Sequence, residues 1–216
     1  KSLKNIVTPD DMYEAYGADT FRVYEMSMGP LDQDRPWETR AVVGSQRFLQ
    51  RLWRNAIDEV TGELVISEDD PDLATKKLVA RTIAGVTEDY ANMRLNTAIA
   101  KLIVLNNHLT SIKAVPREAI EALVLMVSPV APHIAEELWK RLGHENSLAR
   151  EPFPTVSDAA LLKDDAVTCV IQVAGKVRDK LEVDPDIDPA ELERLALQAP
   201  GVKRTLGDSE IRKVIV

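Results

Sequence analysis

The sequence lacks several features that would point to common classes of protein. Cys169 is the only cysteine among 216 residues, so neither an intrachain disulfide nor a multi-cysteine zinc site can form. The three histidines are not spaced as a metal-binding set, and we expect no metal. No apolar run reaches the roughly 18 residues of a transmembrane helix, and we expect no membrane partner. Residues 1–5 contain neither an initiator methionine nor a signal-peptide core, so we expect a fragment of a longer chain.

A positive net charge is also lacking, since the formal charge is −8. Bulk charge therefore gives no support for nucleic-acid binding, and any such binding would need a local basic patch. The content of 45% hydrophobic and 29% charged residues is ordinary for a globular protein. Composition alone favours a helical protein that binds a partner.

The first 150 residues carry the periodicity of helices. Thr8, Pro9 and two following acids predict a helix start, and Gly17 predicts its end. Apolar residues at spacings of three and four, as in Phe48, Leu52 and Ala56, continue the helical pattern. We predict further helices over about 18–28, 39–60, 72–91, 96–108, 116–127 and 132–142. Short connections between them favour an antiparallel bundle.

The period changes after a Pro-rich segment. Residues 167–173 and 176–183 alternate as strands, and Ala174-Gly175 between them predicts a tight hairpin. A helix is predicted over 189–198 and a last strand over 211–216. The predicted fold is therefore mainly α, a helix bundle followed by a small α+β domain. We divide the chain into connecting helices (1–38), a helical domain (39–150), a linker (151–160) and an α+β domain (161–216).

Four stretches together resemble one protein family. Lys1-Ser2 matches the last two residues of the KMSKS signature of class I aminoacyl-tRNA synthetases, and YGADTFR at 16–22 is similar to the segment that follows it. RFLQRLWR at 47–54 and PVAPHIAEELW at 129–139 resemble the anticodon-binding-type domain of the leucine, isoleucine and valine subgroup. VIQVAGKVR at 170–178 is similar to a leucyl-enzyme segment in which Asn is usual where Ala174 stands. The chain is thus identified as a member of the leucyl-tRNA synthetase family, bacterial type.

The resemblance implies a parent enzyme that joins leucine to tRNA(Leu) with ATP and Mg²⁺ through leucyl-adenylate. It also implies a cytoplasmic location, and we expect a monomer. Lys1 would bind ATP and, with Ser2, act catalytically, because a lysine on that loop can stabilise charge on the leaving pyrophosphate. The nucleotide-binding core would lie upstream, so the fragment alone should hold no cofactor and catalyse nothing.

Two groups of cations are candidate tRNA contacts. Arg40, Arg47, Arg51 and Arg54 fall on one broad helix face, where guanidinium groups can contact successive phosphates. A solvated face partly paired with acids such as Glu59 is the alternative.

Lys176 and Arg178 follow the hairpin turn, and strand alternation would place both on one side. Surface charge without a partner is the alternative for these two residues.

Two other functions stay open. The chain can be the corresponding part of a valyl or isoleucyl enzyme, although it has neither a coiled-coil arm nor a cysteine zinc site. It can also be a helical interaction scaffold with no RNA role, which the acidic net charge favours. The order of the four motifs argues against that scaffold.

Overall fold

The computed structural model describes residues 6–163, 166–207, 211 and 213–215. The chain divides into two compact units, Lys1–Leu162 and Lys163–Val216. The first is helical and the second combines a hairpin with two helices, which confirms the predicted fold class. Among the described residues, no helix combines the length and apolarity needed to cross a membrane. The described part of the first unit contains the helices α1–α7: Pro9–Tyr16, Ala18–Ser27, Thr39–Arg54, Leu73–Ala91, Leu95–Ser111, Arg117–Val127 and Pro132–Arg141.

The predicted helix starts and stops are confirmed where side chains cap them. At α1, the backbone N–H of Asp11 donates to the Thr8 hydroxyl and Pro9 occupies the first turn. Gly17, with φ of 84°, ends that helix. At α4, the Asp72 carboxylate accepts the N–H of Thr75 at 2.7 Å.

The core of the first unit is formed by the apolar faces of its helices. Phe48 and Leu52 of α3 and Leu102 of α5 are fully buried there. Among them lies one polar pair: the Asn55 amide donates to the side-chain oxygen of Asn106 at 2.8 Å. Buried amides must be hydrogen-bonded to avoid a desolvation cost, so this pair fixes how α3 lies against α5.

Helix α3 is shorter than predicted, because it ends at Arg54 and not near residue 60. The apolar residues that extended the pattern belong instead to a reversal of the chain. The Asp58 carboxylate accepts the N–H groups of Val60 and Thr61, both at 2.8 Å, and Ile57 forms a bridge with Leu64. An acidic side chain that bonds the backbone two and three residues ahead favours a turn over a helix.

A short parallel pairing in the first unit was not predicted. Strand β1 (Ile66–Ser67) pairs with β2 (Val115–Pro116). Two-residue strands are too short to show a period of two, so alternation could not reveal them.

The segment predicted as a linker lies on the helical core. Phe153 packs edge-on against Tyr90, with ring centroids 6.1 Å apart, and Val156 is half-buried against the same core. Two short 3₁₀ helices, Leu148–Arg150 and Ala159–Leu162, flank this stretch. The boundaries proposed from the sequence remain predictions.

The second unit is built on the predicted hairpin, and both strands are confirmed. Strand β3 (Val167–Val173) pairs antiparallel with β4 (Lys176–Val183), joined by Ala174 and Gly175 in left-handed conformations. Helix α8 (Pro189–Gln198) is confirmed and is capped by Asp188. Helix α9 (Pro200–Leu206) was not predicted, because its first two residues, Pro200 and Gly201, and the following Gly207 resemble a loop.

The predicted last strand is wrong for the residues described there. Ile211 and residues 213–215 are not in a strand, and Ile215 is 84% exposed. A β-branched composition is only a weak preference when no neighbouring strand or core covers the residues. Residues 212 and 216, also in that prediction, lie outside the described part.

Candidate nucleic-acid interface

Helix α3 presents its arginines on the face opposite the core. At about 100° per residue, Arg40, Arg47, Arg51 and Arg54 fall within about 60° of one another around the helix axis. Buried positions such as Val42 and Leu49 lie on the other side. The row therefore follows from the same periodicity that builds the core, and the predicted shared face is present.

The four arginines differ in what they contact. Arg40 and Arg47 are exposed, and neither side chain has an ion-pair partner among the described residues. Arg54 lies 3.6 Å from Glu59, and both side chains are about half exposed, so the pair is weak. Arg51 is half-buried, and its Nε has no hydrogen-bond partner within the described ranges. The row is thus only slightly neutralised by neighbouring carboxylates.

A further arginine, which sequence reasoning missed, joins this surface from α7. The Arg141 guanidinium lies over the Trp53 ring, 5.1 Å from its centroid, and its Nε donates to Glu137 at 2.7 Å. Cation–π contacts of this kind hold a guanidinium in place without removing its charge. From the sequence, only the pairing of Glu137 with Arg141, four residues apart on one helix, could be expected. The contact of Arg141 with Trp53 of α3 joins residues far apart in the chain.

The second group of cations lies at the hairpin. Lys176 and Arg178 are both exposed. The register shifts here, since Gln172 pairs with Val177 and Ile171 pairs with Asp179, which leaves Arg178 unpaired in a bulge. A bulge interrupts strand alternation, so the predicted placement of both side chains on one side does not follow from the strand.

Asp179 next to this bulge is an acceptor for backbone groups. The N–H of Gly201 donates to its carboxylate at 2.8 Å and the N–H of Lys180 at 2.9 Å. These bonds stabilise the charged form and hold the pKa of Asp179 below its usual value. Arg178 is therefore followed in the chain by a carboxylate whose hydrogen bonds are made within the unit.

Two of the motifs quoted above contact each other directly. The Asp19 carboxylate accepts the N–H of Ile134 at 2.7 Å and contacts His133 Nδ1 at 2.8 Å, at the start of α7. Arg22 donates to the carbonyl oxygens of Pro129 and Val130. A carboxylate at a helix N-terminus accepts hydrogen bonds from backbone N–H groups that have no partner within the helix. A guanidinium group donates hydrogen bonds to carbonyl oxygens at a helix C-terminus, which likewise have no partner there. The motifs thus join α2 to the α6–α7 connection, a role that sequence spacing did not reveal.

Lys1 and Ser2, the predicted ATP-site residues, lie outside the described residues. No group of three or more His, Cys, Asp or Glu side chains in the described part is arranged to hold a metal ion.

Comparison with known proteins identifies the class first. A family model described as the anticodon-binding domain of tRNA ligase matches residues 75–194. This chain belongs to that family. The matched residues begin after α3, so the arginine row lies outside the match.

The particular relatives are ligases for one amino acid. The chain is 64% identical over all 216 residues to a leucine–tRNA ligase of Bifidobacterium longum strain DJO10A, covering 22% of that protein. It is 56% identical to a leucine–tRNA ligase of Streptomyces griseus over its whole length, covering 23% of it. The chain thus spans less than a quarter of these relatives.

A solved structure shares the fold. The crystal structure of the ternary complex of Agrobacterium radiobacter K84 agnB2 LeuRS, tRNA and LeuAMS superposes with a TM-score of 0.78 at 25% identity. The match covers 99% of this chain and 29% of that one.

Proposed function

We propose that this chain is a tRNA-binding part of a leucine–tRNA ligase, which joins L-leucine to tRNA(Leu) with ATP. The likeness to leucine–tRNA ligases over the whole chain, at 54–64% identity, carries this proposal. It favours the leucine enzymes over the valyl and isoleucyl alternatives and over a scaffold without an RNA role. The protein would act as a monomer in the cytoplasm, and this part alone would bind tRNA without catalysing a reaction.

The arginine row of α3 is the proposed contact with tRNA. Its support is that Arg40 and Arg47 remain exposed and without ion pairs among the described residues. Guanidinium groups on a rigid helix can donate paired hydrogen bonds to phosphate oxygens. We include Arg51, Arg54, Lys176 and Arg178 in the proposal, with smaller expected contributions from Arg54, which is near Glu59, and from Arg178, which lies in the bulge.

Salt dependence of tRNA binding tests this contact. The chain should bind a leucine tRNA transcript with an affinity that falls steeply as salt rises, because each phosphate contact releases counterions. Arg40→Ala with Arg47→Ala should weaken binding and reduce the slope of log K against log salt by about 1.5. The measurement is a filter-binding titration at several salt concentrations.

A charge-matched control separates local contact from general charge. Lys113→Ala with Arg150→Ala also removes two exposed cations that have no ion pair in the described part. This variant should keep the slope of the wild type. Equal losses in the two double variants would refute the α3 contact, and the absence of any low-salt binding would refute RNA binding by this chain.

The role of Lys1 belongs to the whole enzyme. We propose that Lys1 and Ser2 end the loop that binds the ATP phosphates, with Mg²⁺ as the partner of ATP. Lys1→Ala in a full-length ligase should slow leucine-dependent pyrophosphate exchange far more than it weakens tRNA binding. Equal effects on both would contradict an ATP role.

A further inference from the structure

A cleft in the first unit borders the arginine row. It has a volume of about 490 Å³ and lies between the start of α2, one side of α3 and the start of α7. Its walls include Tyr16, Asp19, Gln46, Gln50, Trp53 and His133. The cleft is open to solvent along much of its surface.

Spacing along α3 places the cleft directly beside the arginines. Gln50 follows Arg47 by three residues and precedes Arg54 by four, and side chains at these spacings are neighbours on a helix surface. Gln46 lies four residues before Gln50 and lines the same cleft. A group bound in the cleft would therefore lie next to the guanidinium of Arg47.

The cleft offers unused hydrogen-bonding groups. The side-chain amides of Gln46 and Gln50 have no hydrogen-bond partner within the described ranges. Each amide presents a donor and an acceptor side by side, the pattern that pairs with the edge of a nucleobase. The His133 side chain is 74% exposed, and its Nδ1 is held by Asp19, so its Nε2 remains available.

The rest of the lining combines aromatic and aliphatic side chains with the carboxylate of Glu59, which lies 3.6 Å from Arg54. Tyr16 and Trp53 are each half-buried, and Trp53 is fixed by Arg141 over its ring. Aromatic side chains of this kind are the usual neighbours of unpaired RNA bases. An acidic peptide would use the arginines but would leave the paired amides and the aromatic walls without matching groups.

We propose that this cleft binds one unpaired nucleotide of the RNA. Its base contacts Gln46 and Gln50 between the aromatic walls, and its phosphate contacts Arg47. This inference rests on the proposed function, because it adds a base contact to the phosphate contacts of α3. A fully paired helix keeps its bases stacked and cannot fill the cleft.

The test compares two RNAs with the whole 216-residue chain. One is a fully paired duplex of two strands, and the other is the same duplex with two unpaired nucleotides in the middle of one strand. Gln46→Ala with Gln50→Ala should weaken binding to the second RNA about tenfold. Binding to the paired duplex should not change, because it offers no unpaired base. The salt slope should not change either, because an amide releases no counterion.

The control variant is Gln33→Ala with Gln198→Ala, which removes two exposed amides that do not line the cleft. It should match the wild type on both RNAs, and far-ultraviolet circular dichroism should show that all variants are folded. Photo-crosslinking of 4-thiouridine at the unpaired positions should label peptides containing Tyr16 or Trp53.

Each outcome decides between the two proposals. Equal losses on both RNAs, or none on either, would overturn the nucleotide cleft and leave the arginine contact standing. A wild-type chain that binds neither RNA at low salt would overturn the proposed function as well.

Discussion

The two units of this chain are stabilised in different ways. The helical unit buries long apolar side chains completely, among them Phe48 and Leu102. The described part of the α+β unit buries only Val183, Ala199 and Val202 among its apolar residues. Because hydrophobic stabilisation scales with buried apolar area, the first unit depends on core volume. The stability of the second unit depends more on close contacts between backbone groups of its elements.

One such backbone contact of the second unit lies at Gly201. A Cβ built on this residue would lie 2.0 Å from the carbonyl oxygen of Arg178. The glycine therefore allows α9 to approach the bulge of β4, where Asp179 accepts its N–H. Small units with little apolar core are sensitive to such contacts, and the following predictions test this contrast.

The largest expected effect is in the helical core. Leu102→Ala should lower the free energy of unfolding of the first unit by about 2–5 kcal/mol, because it leaves a cavity. Urea unfolding followed by circular dichroism measures this change. Val104→Ala in the same helix, where the side chain is 56% exposed, should have little effect. An equal loss of unfolding free energy in both variants would contradict the view that the buried core stabilises this unit.

The next largest effect is expected where Gly201 lies against the backbone of β4. Gly201→Ala should destabilise that unit by about 1–3 kcal/mol, since a methyl group collides with a carbonyl that cannot rotate away. Amide hydrogen exchange in β3 and β4 of the whole chain reports it. Gly44→Ala, where a Cβ would meet nothing within 4 Å, serves as the control. Unchanged exchange in Gly201→Ala would show that α9 can move aside.

A buried carboxylate gives the first unit an acid-sensitive contact. Asp89 is 3% exposed and is bonded by Lys101 and by Arg94 at 2.9 Å. Burial acts to raise the pKa of Asp89, but the hydrogen bonds from the two cations outweigh it and the pKa is lowered. Its stabilising effect is therefore present above the unfolded value near 3.8 and is lost as pH falls through the lower, folded value.

Replacement of this residue tests the pH dependence. Asp89→Asn should cost about 2 kcal/mol at pH 7, the usual size for a hydrogen bond to a charged group. The difference from the wild type should shrink as the pH falls below about 4. Urea titrations at several pH values measure it, with the exposed Glu63→Gln as control. A difference that stays constant with pH would refute the role of the charge.

The smallest effect is at the hairpin turn. Ala174 has φ of 50°, a left-handed conformation that alanine adopts at a cost and asparagine tolerates better. Ala174→Asn should stabilise the second unit by about 0.5–1 kcal/mol and slow hydrogen exchange in β3 and β4. Ala174→Val should have the opposite effect, because a β-branched side chain clashes in that conformation. The usual Asn at this position thus has a conformational reason.

Local patterns predicted much of this fold. The cap at Thr8, the break at Gly17, the hairpin around Ala174 and the helix after Asp188 each depend on residues close in sequence. Errors occurred where a local pattern was ambiguous: the apolar residues after Arg54 continued a helical period, and Pro200 with Gly201 resembled a loop. After Arg54, the Asp58 carboxylate bonds the backbone two and three residues ahead and favours a turn. At Gly201, a hydrogen bond to the distant Asp179 outweighs the local preference.

The sequence by itself determined the two-part fold, most helix and strand positions and the shared face of the α3 arginines, because periodicity fixes which side chains lie together on one element. Only the tertiary structure decided which of these cations remain unpaired, that Arg141 joins them over Trp53, and that glutamines of α3 line a cleft with His133. These features arise between elements far apart in the chain. Their packing is set by the whole core, which no local pattern encodes.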